Sequence, residues 1–98
     1  MERYSARAVD ELNRLVLHGE LRKELGFEEG DNVSLLRVDT IVILQKADGD
    51  LGQGYFASQV DDFGRIVLPA ELQQQMGWEV KSRVAVYHTD NMLILKSA

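Results

Sequence analysis

Short apolar runs bounded by turn residues recur along the chain and predict β-strands. Two pairs of runs stand out: "NVSLLRV" with "IVILQK", and "RVAVYHT" with "MLILKS". Runs rich in β-branched and aromatic residues are typical of strands, and the connections Asp39-Thr40 and Asp90-Asn91 suit tight turns. Each pair of runs therefore predicts a β-hairpin.

A shorter pattern precedes each hairpin. An extended segment, at about residues 4–9 and again at 55–60, leads into a turn at Asn13 or Gly64, two residue types that tolerate a positive φ. A short apolar strand follows, "RLVL" or "RIVL", and then a short helix, "HGELRKEL" or "PAELQQQM". Pro69 suits the first position of the second helix.

A glycine and an aromatic residue end both predicted helices. Gly26 and Gly77 suit the position just past a helix C-terminus, where a left-handed conformation is common. Phe27 and Trp78 follow them in the sequence. We expect both rings to pack back against the helix that they follow.

The two patterns match each other at an offset of 51 residues through almost the whole chain. Val9-Asp10 returns as Val60-Asp61, and Arg14 returns as Arg65. Such self-similarity indicates an internal repeat.

The repeat predicts one compact domain over residues 1–98. Its parts are a first repeat at 1–46, a Gly- and Asp-rich linker at 47–54, and a second repeat at 55–98. A copy of about 45 residues is near the lower limit for an independent domain. We therefore expect the copies to pair, either with each other or with copies in another chain.

Composition favours a cytoplasmic protein. The chain has no cysteine, and no apolar run approaches the roughly 18 residues of a membrane span. The N-terminus lacks the apolar stretch of a signal peptide. The net charge of −5 argues against nucleic acid as a partner, yet the basic residues are concentrated in the first repeat.

Catalytic and metal chemistry have little support in the sequence. It contains no cysteine nucleophile, no Ser-His-Asp grouping and no Gly-rich phosphate loop. His18 and His88 are isolated from each other, and two such histidines make a weak metal site. We expect no enzymatic activity, no cofactor and no metal.

The segments "VDDFGRIVLPAELQQQMG" and "VDELNRLVLHGELRKELG" resemble the motif of the AbrB/SpoVT swapped-hairpin family, "VDxxGRxVLPxELRxxLG" followed by a β-hairpin. The first copy departs from the motif at Asn13 and His18, where the family favours Gly and Pro. The resemblance implies a mainly β, α+β fold, in which two copies interleave their hairpins into a small closed β-barrel flanked by short helices. With both copies in one chain, it implies a single-chain pseudo-dimer.

The resemblance also implies binding to double-stranded DNA in transcriptional regulation, within the nucleoid. The family contacts DNA with arginines before the turn, after the turn and on the short helix. These positions carry over as Arg7, Arg14, Arg22 and Lys23 in the first repeat, and as Arg65 alone in the second, where Ser58, Gln73 and Gln74 replace the others. The glutamines can still donate hydrogen bonds to phosphates or base edges.

The basic helix residues have a second interpretation. Arg22 and Lys23 could form a solvated helix face, paired with Glu20 or Glu24 at helical spacing. The family resemblance favours the DNA interpretation.

The turn arginines also have two interpretations. Asp10 with Arg14, and likewise Asp61 with Arg65, could be ion pairs that brace the turns. We favour a mixed role, in which Asp fixes the turn and Arg is partly presented. Arg14 is the better DNA candidate, since Arg7 and Arg22 are expected near it.

Two other functions and one further assembly remain open. Related barrels serve as antitoxins, usually with an acidic tail after the barrel, and this sequence ends at "LILKSA". A protein-interaction module without DNA binding would use the second repeat, around 73–75. Two pseudo-dimeric barrels could also form a homodimer, with their basic first repeats side by side.

Overall fold

The structure, a computed structural model, describes residues 2–89 and 91–98, and describes residues 2–5 by their backbone alone. Within these ranges the chain forms β-strands and two short helices. The strands are β1 (Glu2–Ala8), β2 (Arg14–Val16), β3 (Asn32–Val38), β4 (Ile41–Lys46), β5 (Tyr55–Gln59), β6 (Arg65–Val67), β7 (Arg83–His88) and β8 (Leu93–Ser97). The helices are α1 (Gly19–Leu25) and α2 (Ala70–Met76). The fold is mainly β with short helices, as the sequence predicts.

The strands form two antiparallel sheets that mix the two halves of the chain. Six strands lie in the order β1-β7-β8-β4-β3-β5, and β2 pairs with β6 in a two-stranded ribbon. The first strand of each half pairs with the hairpin of the other half, β1 with β7 and β5 with β3. The halves therefore pair within one chain.

The strand register repeats at the same offset as the sequence. Leu15 pairs with Ile66 in the ribbon, and Ile43 pairs with Ile94 between β4 and β8, so residues 51 apart face each other. Between the halves, Arg7 pairs with Val84, and the counterpart of Arg7, Ser58, pairs with Val33. A contact made by one half can therefore be compared with its counterpart in the other.

A single buried cluster joins the two sheets and the two helices. Both sheets and both helices contribute apolar side chains that are almost completely inaccessible to water. The most deeply buried include Leu15, Leu21, Leu35, Leu44, Ile66, Leu72, Leu93 and Leu95. Burial of this apolar surface is the main force that holds short strands and seven-residue helices in place, since such short helices are unstable alone.

The predicted turns and helix ends are confirmed. Asn13 and Gly64 have φ angles of 60° and 75°, and Gly26 and Gly77 end the helices in the left-handed region at 72° and 69°. Phe27 and Trp78 are buried behind those glycines.

Two details of the predicted turns differ or lie outside the structure. Pro69 caps α2 from just before its first residue instead of occupying the first helical position, with φ −58° and ψ 140°. An extended ψ of this kind is usual at a cap, and the fixed φ of proline fits it. The predicted turn at Asp90-Asn91 lies partly outside the described residues, since Asp90 is not among them. Neither helix in the described ranges is long and apolar enough to cross a membrane.

Candidate nucleic-acid interface

The β2–β6 ribbon presents one face to the core and one to solvent. Leu15 and Ile66, which pair with each other, are fully buried. Successive side chains of a strand point to opposite faces, so the four flanking residues share the outward face. These residues are Arg14, Val16, Arg65 and Val67. The ribbon therefore carries two arginines and two valines on its outer surface.

An aspartate holds each ribbon arginine and each turn. Oδ1 of Asp10 accepts hydrogen bonds from the backbone N–H groups of Leu12 and Arg14, at 2.9 and 2.8 Å. Oδ2 of Asp10 pairs with Nε of Arg14 at 2.7 Å. Asp61 and Arg65 form the same pair at the same distance. The ion-pair interpretation is confirmed, and about a quarter of each arginine side chain stays exposed (24% and 23%).

These contacts stabilise the charged form of both aspartates. Burial raises the pKa of Asp10, but the hydrogen bonds from the backbone and side chain of Arg14 and from Leu12 outweigh it and hold that pKa below its usual value. The pKa of Asp61 is lowered in the same way, by the hydrogen bonds of Arg65 and Phe63 against the effect of burial. Ionised carboxylates are therefore part of the folded turns.

We expect the two aspartates to make stability sensitive to acid. Because their pKa is lower in the folded chain, the unfolded chain binds more protons as the pH falls. Their contribution is complete above the unfolded pKa of about 4 and is lost as the pH falls through the folded value. Urea unfolding of the Asp10→Asn/Asp61→Asn variant should show a lower midpoint than the wild type at neutral pH, and a flatter decline below about pH 4.

A matched variant controls for loss of negative charge alone. Asp48 and Asp50 are exposed residues of the linker. The Asp48→Asn/Asp50→Asn variant should keep the wild-type decline in acid. If the stability of the wild type and of the Asp10→Asn/Asp61→Asn variant declines equally in acid, the turn aspartates do not cause the pH dependence.

Arg22 crosses from one half of the chain to the turn of the other. Its Nε donates to the backbone oxygen of Leu17 at 3.1 Å, and the guanidinium covers Gly64. A Cβ atom on Gly64 would overlap Nε and Cζ of Arg22. Gly64 therefore leaves the space that the guanidinium of Arg22 fills.

Gln73 makes the counterpart contact with the turn of the first half. Its Nε2 donates to Oδ1 of Asn13 at 3.1 Å and to the backbone oxygen of Trp78 at 3.3 Å. Both N–H groups of this amide are thus engaged inside the protein. The expectation that Gln73 donates to DNA does not fit this geometry, whereas Gln74 is exposed beside it.

The expected neighbourhood of Arg14 is wrong for Arg22. Arg22 lies on the Gly64 turn, next in sequence to Arg65, while the Asn13 turn beside Arg14 contacts Gln73. For Arg7 the repeat is informative. Its counterpart Ser58 donates to the backbone oxygen of Val67 and lines one groove with Asp61, so the same register places Arg7 beside Val16, on the strand of Arg14.

Arg83 lies close to Arg7, although no motif of the sequence singles it out. It pairs with Ala8, one position from the pair of Arg7 with Val84, and its side chain is exposed. Its counterpart at the offset of 51 is Asn32, which is uncharged. Only the pairing of β1 with β7 brings Arg83 close to Arg7, and no local sequence pattern predicts that pairing.

The ribbon therefore has two chemically different ends. We call the first the Gly64 end, which gathers the side chains of Arg22, Lys23 and Arg65. We call the second the Asn13 end, with the counterpart side chains of Gln73, Gln74 and Arg14. Lys23 is placed by its position next to Arg22 on α1, and it is exposed. The Gly64 end thus has three basic side chains, and the Asn13 end has one.

A buried polar atom of Arg7 has no partner among the described residues. Its Nε is shielded from solvent and makes no hydrogen bond with them. Buried donors are nearly always satisfied in folded proteins. This Nε–H is therefore an exception within the part of the chain that the structure describes.

Exposed apolar side chains border the ribbon. Leu12 and Phe63, at the tips of the two turns, are 64% and 68% exposed, and Val16 and Val67 lie exposed between them. Phe63 also lies under the guanidinium of Arg65, with 4.8 Å from Cζ to the ring centroid. Away from the ribbon, Phe56 packs on the core while Tyr55 is exposed.

The histidines have local roles in the described ranges. Nδ1 of His18 accepts a hydrogen bond from the backbone N–H of Glu20 at 3.3 Å, at the start of α1. No group of three or more His, Cys, Asp or Glu side chains that could hold a metal ion occurs among the described residues.

Comparison with known proteins supports the fold alone. No protein-family model matches the chain, and the comparison with curated proteins gave no match. Among solved structures, the chain is similar to the solution structure of PHS018 from Pyrococcus horikoshii, with a TM-score of 0.57 and 22% sequence identity. The similarity covers 97% of this chain and 87% of that one, so it extends over both halves.

Proposed function

We propose that the chain is a swapped-hairpin barrel of the AbrB/SpoVT type, built from two tandem repeats as a single-chain pseudo-dimer. The motif at the two turns supports this proposal, as does the strand register that repeats at an offset of 51. The exchange of β1 and β5 between the halves is the pairing that such a swapped architecture requires.

We further propose that the protein is a transcriptional regulator that binds double-stranded DNA through the outward face of the ribbon. The observation that carries the proposal is the clustering of three basic side chains, Arg22, Lys23 and Arg65, at the Gly64 end of a chain whose net charge is −5. Lys and Arg neutralise phosphates and release counterions, which supplies most of the affinity of such proteins.

Local acids limit but do not cancel this charge. Glu28 and Glu29 line the groove that also holds Arg22 and Lys23. Asp61 is already paired with Arg65. We therefore expect moderate affinity with a clear salt dependence, and a slope of log K against log salt of about −4.5 if about five phosphates are neutralised.

The Arg65→Ala variant tests the interface, with Arg14→Ala as its matched control. Both arginines make the same 2.7 Å ion pair at nearly the same exposure, and Arg65 also lies over the ring of Phe63, so Arg65→Ala should lose slightly more stability than Arg14→Ala. Arg65 alone lies in the basic cluster. By fluorescence anisotropy on mixed-sequence duplexes, we expect about tenfold weaker binding for Arg65→Ala and about threefold for Arg14→Ala.

Two outcomes of this experiment would count against the proposal. If the wild type does not bind duplex DNA even at low salt, DNA binding fails as a function. If Arg14→Ala weakens binding as much as Arg65→Ala does, the interface is not centred on the Gly64 end.

A protein-interaction module is the second candidate. The exposed apolar residues at the turn tips, Leu12 and Phe63, favour it, since contiguous exposed apolar surface often marks a protein partner. The two functions differ in their response to salt. Association through this apolar surface should be nearly independent of ionic strength, whereas DNA binding should weaken steeply.

A further inference from the structure

The two ends of the ribbon would meet DNA with different chemistry. The turns and helices are counterparts at an offset of 51, yet the helix residues on the Gly64 turn are Arg22 and Lys23, while those at the Asn13 turn are Gln73 and Gln74. Arginine and lysine bind phosphates strongly and pair with guanine, whereas amides pair with adenine and leave phosphates unneutralised. A two-fold symmetric site would therefore be matched at one end only.

We propose that the chain binds duplex DNA in one orientation, on a recognition site without two-fold symmetry. The proposal rests on the DNA binding proposed above. In this complex the Gly64 end makes most of the phosphate contacts, and the Asn13 end contributes Arg14 and Gln74. Reversing the chain on its site would place each end on the sequence that suits the other, and each mismatched base pair weakens such complexes by about fivefold or more.

The crossing of strands between the two halves supports a single oriented complex. Because β1 and β5 cross between the halves, the two ends are parts of one interleaved sheet and cannot reorient independently. A dimer of identical subunits would have to be symmetric, but one chain that supplies both halves is free of that constraint. The difference between the ends is built into the backbone connection and is present in every molecule.

The chain offers a clean way to observe orientation, because it has no cysteine. Glu11 and Asp62 are counterpart residues at the tips of the two turns, both exposed and both acidic. We substitute a single cysteine at either place, Glu11→Cys or Asp62→Cys, and each substitution removes one negative charge. An iron chelate that cleaves DNA is then attached to the cysteine. The recognition site is first selected from a random-sequence duplex library with the unmodified full chain.

On the selected duplex, we expect each labelled variant to cleave one flank at least about tenfold more than the other, and the two variants to cleave opposite flanks. Equal cleavage of both flanks, a palindromic selected site, or binding without any selected site would overturn the oriented complex and leave DNA binding standing. Failure of the unmodified chain to retain any duplex would overturn the proposed function, and the oriented complex with it.

Discussion

Replacing Gly64 by asparagine is expected to lower the free energy of unfolding by about 1 kcal/mol. Asparagine tolerates the positive φ of 75° at this position, so the backbone itself is little strained. The cost arises because a Cβ atom would overlap the guanidinium of Arg22. Arg22 must then leave the turn and lose its hydrogen bond to the backbone oxygen of Leu17. Urea unfolding followed by circular dichroism measures the loss.

The same change should be largely repaired by Arg22→Gln. The double variant reproduces at the Gly64 turn the pair that Asn13 and Gln73 already make at the other turn. In a double-mutant cycle we expect a favourable coupling of about 1 kcal/mol between Gly64→Asn and Arg22→Gln. Additive effects of the two substitutions would contradict the assignment of Arg22 to this turn.

Making the Asn13 end basic should strengthen DNA binding by tenfold or more at low salt. In the Asn13→Gly/Gln73→Arg/Gln74→Lys variant, the glycine leaves space at the first turn for the new arginine, as Gly64 does for Arg22. The other two substitutions add two positive charges to the outward face of the ribbon. If both charges reach phosphates, the slope of log K against log salt steepens by about two. Fluorescence anisotropy over a salt series measures both changes.

Charge alone must be separated from its position. Thr40 lies in the turn between β3 and β4, and Gln53 lies in the linker; both are exposed and away from the ribbon. The Thr40→Lys/Gln53→Arg variant adds the same charge and should steepen the salt slope much less. If this control gains as much affinity as the triple variant, the binding face is not the ribbon.

Local structure was predictable because local chemistry determines it. Positive φ at Asn13 and Gly64, and the left-handed glycines after both helices, follow from residue type without knowledge of the rest of the chain. The strands follow equally from their apolar runs and turn residues. The bracing of each turn by Asp10 or Asp61 was also anticipated, since the spacing to the arginine is short.

The grouping of the basic residues was not predictable in this way. The sequence places Arg14 near Arg22, and the fold separates them because α1 reaches across to the turn of the other half. The 51-residue repeat shows that each half has one turn and one helix. It does not show whether a helix contacts the turn of its own half or that of the other half. Arg83 was missed for the same reason, since only the pairing of β1 with β7 brings it beside Arg7.

The exchange of first strands also determines when the chain can fold during synthesis. β1 leaves the ribosome well before its partner β7, because β7 begins only at Arg83. The first half must therefore wait with unpaired strand edges while the rest is translated, and on a polysome an identical half of a neighbouring nascent chain is within reach. Pairing two first halves would bring Arg22 onto Asn13, where the added side chain occupies the space that Gly64 leaves open. The unequal fit of the two turns thus biases each nascent chain to complete itself with its own second half.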